Sequence, residues 1–227
     1  MTTPFGYYDL LETFPQPGCA VCRLLQRDVE RFLDTLLYEH PIDRITQSNF
    51  RASRGLCHEH TWQLPRYNNA LAVAILYDAV LDEVMRIGTQ SPERPSGLAR
   101  LRGTINALAN ALAPQQPCPA CVVRDDAGIR YLQIIGEYVG EERFGGAFRQ
   151  SDGFCLPHFR GALRFAPDSE SARILASVQN ANWSKLKGEL ELFLHRMDAH
   201  YQERMGDEAT SWLRTLARIA GEKRSSD

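Results

Sequence analysis

No stretch of this 227-residue chain approaches the roughly 20 uninterrupted apolar residues of a membrane-spanning helix. The opening segment, Met1 to Asp9, lacks the basic-then-apolar order of a signal peptide. Neither sign of charge dominates: 26 Lys and Arg stand against 28 Asp and Glu, a net charge of −2. That balance argues against nucleic acid or an anionic membrane as partner. Glycine-rich phosphate loops and nucleophile elbows are missing too. The spacing from Gly140 to Gly145 lacks the lysine that would make it a phosphate loop. Alternating apolar and polar residues of the kind that build strands are not found. Cysteine is sparse, six residues in all. Without an export signal these six are expected in a reducing cytosol, where a C-x-x-C pair reads as a metal or redox site before a disulfide.

What is present is a pattern that occurs twice. Cys19 and Cys22 form C-x-x-C and are followed by Cys57 and His60 as C-x-x-H; Cys118 and Cys121 repeat the first pair, and Cys155 and His158 the second. The intervals nearly agree, with 34 residues between Cys22 and Cys57 and 33 between Cys121 and Cys155. A shift of 99 positions lays Pro15 on Pro114, Cys19 on Cys118 and Arg31-Phe32-Leu33 on Arg130-Tyr131-Leu132. A shift of 98 then lays the segment from Phe50 to Cys57 on that from Phe148 to Cys155. Such self-similarity indicates two copies of one supersecondary unit. It also selects His60 over His58 as the ligand, because His60 aligns with His158 and His58 with Leu156.

Helical periodicity runs through both copies. Val21, Leu25, Val29, Phe32 and Leu36 mark one apolar face of a helix ending near His40-Pro41. Leu71, Ile75, Val80, Val84 and Ile87 outline another, closed by Gly88. The turn-rich Ser91 to Gly97 separates the halves, and Leu98, Leu101, Ile105, Leu108 and Leu112 lead into the second copy. There, Ile129, Leu132, Ile135 and Val139 form the first helix. Pro167-Asp168-Ser169-Glu170 signals the start of a longer one carrying Trp183, Leu186, Leu190, Phe193 and Met197. A last helix holds Trp212, Leu213, Leu216 and Ile219, and the tail from Glu222 reads as disordered. The expected architecture is all-α: a first repeat over 1–90, a second over 98–200 and a C-terminal helix and tail over 201–227. These apolar stripes are expected to pack on one another. An exposed groove for a partner would be sought first in the C-terminal helices.

Three sulfurs and one imidazole per repeat make a tetrahedral zinc ligand set. The expected metal ligands are Cys19, Cys22, Cys57 and His60 in one repeat and Cys118, Cys121, Cys155 and His158 in the other. Each zinc would clamp the starts of two helices across a linker of more than thirty residues. Pro119 suits the first helical position, where its missing N–H costs nothing. Three thiolates and a neutral imidazole leave a divalent ion at −1, which Arg23, Arg54, Arg124 and Arg160 are close enough in sequence to offset. An iron–sulfur cluster is the rival cofactor, although ligation by four cysteines is usual for it. The C-x-x-C-H order of covalent haem is absent.

Four protein ligands leave no open position for activating water, so a hydrolytic centre is not expected. Glu59 has no second histidine at metalloprotease spacing and reads as a solvated or capping carboxylate. His40 marks a helix end, and His195 and His200 read as surface residues. One enzymatic alternative survives, a dithiol oxidoreductase or zinc-thiolate switch, since Cys118-Pro119-Ala120-Cys121 is similar to a redox dithiol at a helix N-terminus.

On the motifs Cys118-Pro119-Ala120-Cys121, Gly55-Leu56-Cys57-His58-Glu59-His60 and Gly153-Phe154-Cys155-Leu156-Pro157-His158, with Ser211-Trp212-Leu213-Arg214 downstream, the chain resembles an uncharacterised bacterial family, domain of unknown function 6062. Cys19-Ala20-Val21-Cys22 departs from it by lacking the proline, which is not a ligand. The resemblance implies cytosolic metal sites and brings no activity. The expectation is therefore a non-enzymatic, zinc-binding helical module that acts on a protein partner or by self-association.

Overall fold

The structure, a computed structural model, describes residues 4–89, 106–197 and 205–223, and every regular element among them is helical. The elements are α1 (Phe5–Thr13), α2 (Ala20–Tyr38), α3 (Arg44–Ala52), α4 (His58–Thr61), α5 (Ala70–Thr89), α6 (106–112), α7 (Pro119–Tyr138), α8 (Glu142–Arg149), α9 (Leu156–Phe165), α10 (Ser169–Arg196) and α11 (Ser211–Ala220). Short 3-10 turns cover Leu64–Tyr67 and Asp207–Thr210. No helix among the described residues is long and apolar enough to cross a membrane. The turn expected at 91–97, the helix start near Leu98 and His200 lie outside the described residues.

The chain divides into two compact units that do not follow the sequence repeats. The first is drawn from Met1–Arg27 and Asp126–Ser225, the second from Asp28–Asp125. Helices α2 and α7 each contribute to both.

In the first unit, Tyr7, Leu10 and Phe14 of the α1 region meet Leu24 of α2, Tyr131 and Ile135 of α7, Phe144 and Phe148 of α8, and Leu175 of α10, all buried. Phe148 stacks on Phe154 with centroids 4.9 Å apart, and Phe14 meets Phe144 edge-on at 5.2 Å. Arg27 forks onto both carboxylate oxygens of Asp9 at 2.9 and 2.8 Å and donates to the Tyr131 hydroxyl at 3.0 Å, which ties α2 to α1 and α7. Asp168 caps α10 by accepting from the Ser171 N–H, as its capping signal predicts.

In the second unit, Val29, Leu33, Leu36 and Leu37 of α2 enclose Phe50 of α3, Leu56, Leu64, and Leu76 and Val80 of α5. Phe50 meets Tyr77 edge-on at 5.3 Å. Asn69 caps α5 through the Ala72 N–H while donating to the Leu37 carbonyl.

Four expectations change here. Helix α5 buries Ala72, Leu76, Val80 and Ile87, whereas Leu71 is exposed and Gly88 lies inside the helix. Ile129 of α7 is likewise exposed, and Ala127, Tyr131 and Ile134 take the buried positions. The stripe of α11 is not buried among the described residues: Trp212, Leu213, Leu216 and Ile219 are all exposed. Glu222 is not a free tail residue: its carboxylate accepts the Cys19 N–H at 3.0 Å.

Candidate metal centres

All eight expected ligands occupy equivalent helix starts. Cys57 and Cys155 are the N-cap residues of α4 and α9, and Cys19 and Cys118 directly precede α2 and α7. The second ligand of each pair falls three residues later, one turn into the helix. The first helical hydrogen bond recurs in all four, from Arg23 N–H to Cys19 O, Thr61 to Cys57, Val122 to Cys118 and Phe159 to Cys155. The two intervening residues of each motif are thus the first part of a helical turn, which puts both donors on one side of the N-terminus. Free N–H groups and the helix dipole at that end favour negative sulfur.

The pairing of these helix starts differs from the expectation. The sequence reading joins each C-x-x-C to the C-x-x-H of its own repeat. The structure instead gathers Cys19, Cys22, Cys155 and His158 in the first unit, and Cys57, His60, Cys118 and Cys121 in the second. The reason is the length of α2. At 19 residues it spans about 28 Å, with Cys22 in its first turn. Its later residues Val29, Leu33, Leu36 and Leu37 hold Phe50 and Leu56, which keeps Cys57 at the far part of the helix. In the first unit, Tyr131 and Ile135 of α7 share a core with Phe148 and Phe154, the residues that lead to Cys155.

Distances within each cluster match a single tetrahedral ion. In the first, Cys22 Sγ lies 3.6 Å from Cys155 Sγ, and His158 Nδ1 lies 3.5, 3.4 and 3.2 Å from the sulfurs of Cys19, Cys22 and Cys155. In the second, Cys57 and Cys121 sulfurs are 3.7 Å apart, and His60 Nδ1 lies 3.2, 3.6 and 3.5 Å from those of Cys57, Cys118 and Cys121. An ion bonded tetrahedrally at about 2.3 Å to sulfur and about 2.0 Å to nitrogen requires sulfurs about 3.8 Å apart and sulfur–nitrogen separations of about 3.5 Å. All six cysteines are free thiols, and sulfurs 3.6 to 3.7 Å apart are far beyond a disulfide bond. His60 is buried and aims at the sulfurs, whereas His58 is exposed.

Electrostatics in the first cluster describe a proton-sharing set. Burial raises the Cys19 thiol, but hydrogen bonds from Cys155, Cys22 and His158 outweigh it and hold Cys19 well below the ordinary range. Hydrogen bonding to Cys155 and Cys19 pushes Cys22 far up. Burial opposes the charged form of His158, yet the sulfurs of Cys155 and Cys19 raise it to about 10. In the second cluster, burial and then the charge at Cys118 push Cys121 up to about 12. A divalent cation replaces exactly such shared protons as its own counter-charge, so the donor set fits a metal.

The surrounding contacts include residues the sequence reading missed. Gln179, fully buried, accepts the Phe154 N–H at 2.9 Å and donates to the Phe154 carbonyl at 3.0 Å, which fixes the residue before Cys155. No sequence signal marks it. Asp152 accepts the Gly18 N–H at 2.9 Å, just ahead of Cys19, and pairs with Arg218 at 2.8 Å. Arg54, its aligned counterpart, donates to the carbonyls of Ala111 and Leu112 at 2.8 and 3.3 Å, ahead of Cys118. A signal for both existed in the alignment of Arg54-Gly55 with Asp152-Gly153. Gly18, Gly55 and Gly153 all adopt positive φ (98°, 83° and 71°) just before ligand segments, a conformation that costs glycine little.

Of the other arginines, Arg23 donates to the Pro17 carbonyl, Arg124 pairs with Asp125 beside Cys121 and Glu59, and Arg160 is exposed. His40 and His195 are exposed and join neither cluster.

No solved structure matches this chain. An uncharacterised 23.9 kDa protein in the xynA 3′ region of Caldicellulosiruptor sp. (strain Rt8B.4) is similar, 23% identical over 215 residues that cover 93% of this chain and 99% of that protein. A family model matches residues 12–226, and the chain accordingly belongs to the family of unknown function DUF6062.

Proposed function

We propose that the protein is a non-enzymatic zinc-binding helical module of the cytosol, in which two Cys3His sites are structural and the helices they hold serve protein interaction. The observation that carries this reading is the closure of each donor set. Three sulfurs and one Nδ1 converge at the edge lengths of a tetrahedron, which fills the coordination sphere of zinc and leaves no position for substrate or water. Each ion would join two helix N-termini far apart in sequence. Structural zinc supplies on the order of 10–16 kcal/mol of apparent binding energy in small peptides, comparable with a domain's net stability of about 5–15 kcal/mol.

Elemental analysis and a visible spectrum of protein purified without oxygen test the reading. Two zinc per chain in a colourless solution is the expected result. Iron with visible absorbance would replace it with an electron-transfer or sensing role, and metal-free protein would leave only the dithiol.

A redox reading draws support from one feature: Cys57, Cys118 and Cys121 of the second cluster are only half-buried. In that alternative, oxidation of these thiolates ejects the ion and loosens the helices.

A further inference from the structure

The end of α11 closes over the first cluster, although none of its residues is a ligand. Arg218 pairs with Asp152 at 2.8 Å, and the same Asp152 oxygen accepts the Gly18 N–H at 2.9 Å. The helix stops at Ala220, and Glu222 accepts the Cys19 N–H at 3.0 Å. A carboxylate is favoured at that helix start by its free N–H groups. Between these two anchors the backbone runs against the sulfurs. A Cβ added at Gly221 would stand 3.7 Å from Cys22 Sγ and 3.9 Å from Cys155 Sγ, and the φ of 99° there suits glycine. A Cβ added at Gly18 would come within 2.6 Å of a Glu222 carboxylate oxygen, so the bare glycine leaves that side chain its seat. Farther back, Arg214 pairs with Glu189 and ties α11 to α10.

The two clusters differ in exposure. Cys19 and Cys155 are fully buried in the first. In the second, His60 is buried but Cys57, Cys118 and Cys121 are all only half-buried. We propose that residues 218–222 are a strap that gates the first centre, so that its ion is retained while the second centre exchanges first. A chelating small molecule must reach the ion or a sulfur before the metal can leave. At the first centre the strap occupies that approach, and release waits for a local opening in which Arg218 and Glu222 let go. At the second centre three sulfurs already reach the surface. This inference rests on the metal-binding reading above and adds to it an order of release and the segment that sets it.

Zinc release from the full chain into excess 4-(2-pyridylazo)resorcinol, followed by absorbance, tests it. Two phases of one equivalent each are expected, and Cys57→Ser should retain only the slow one. Glu222→Ala should speed the slow phase by on the order of tenfold, the effect of losing a hydrogen bond to a charged group, and leave the fast phase alone. Arg218→Met works from the other anchor and carries the test if Glu222→Ala misfolds. Equal release from both centres, or a Cys57→Ser chain that keeps the fast phase, overturns the strap while leaving two zinc sites in place. So does a slow phase indifferent to both strap variants. A chain purified without metal would sink the zinc reading by itself, and the strap is then read by iodoacetamide alkylation resolved residue by residue with mass spectrometry. Cys19 should react more slowly than Cys118 and gain on the order of tenfold in Glu222→Ala. No gain at Cys19 overturns the proposal there too.

Discussion

Cys22 and Cys155 place their sulfurs 3.6 Å apart although 133 positions separate them in the chain. Together with the second cluster, this means that each candidate metal site would take two donors from each sequence repeat. Folding of either site therefore requires long-range contacts to form, and neither repeat holds a complete ligand set of its own.

That partition predicts the stoichiometry of metal loss. Cys22→Ser and Cys155→Ser should each remove one equivalent, and the two together should still remove only one. Cys22→Ser combined with Cys57→Ser should remove both. Elemental analysis decides it: one equivalent lost from the second combination would mean that the sites follow the repeats after all.

Gln179→Leu should destabilise the first unit without touching a ligand. It leaves the buried N–H and carbonyl of Phe154 without their side-chain partner. Each such group costs roughly 1–3 kcal/mol, so a loss of about 2–4 kcal/mol is expected by denaturant unfolding. Metal should leave the first cluster faster, read by chelator competition, with the second cluster unchanged.

Two glycines separate close packing from helix propensity. A Cβ at Gly136 would overlap the backbone carbonyl of Phe165, whereas one at Gly188 would meet nothing within 4 Å. Gly136→Ala should cost about 1–3 kcal/mol or more through overpacking. Gly188→Ala should stabilise α10 by about 0.5–1 kcal/mol. Thermal unfolding of the pair checks both signs.

The cap of α10 gives a pH dependence. The Ser171 N–H holds the Asp168 carboxyl below its ordinary range. A depressed folded-state pKa contributes stability above the unfolded value, about 3.9, and that contribution is lost as pH falls through the folded value. Asp168→Ala should thus melt lower than wild type at neutral pH, with the deficit shrinking below about pH 4. A deficit that stays constant into acid would show that the carboxylate charge is not what caps the helix.

The sequence by itself determined the helical class, and it picked out the eight Cys and His side chains that gather into two groups able to hold a metal, with His60 and not His58 among them. Each of these rests on local spacing: a 3.6-residue period, and two-residue gaps that become the first turn of a helix. Asp168 as a cap was legible for the same reason, because capping involves residues three positions apart. Only the tertiary structure decided which donors meet. The C-x-x-C at the start of α2 and the C-x-x-H at Cys57 look like partners in sequence, but a rigid 19-residue helix stands between them. Their true partners come from the other repeat, brought close by core packing that no local spacing encodes. Gln179 was invisible because its role lies in two hydrogen bonds to a backbone 25 residues away. The outward stripe of α11 was misread because periodicity reveals that a helix has an apolar side but not which way it faces. Salt bridges from Arg214 and Arg218, acting across the fold, turn that side to solvent.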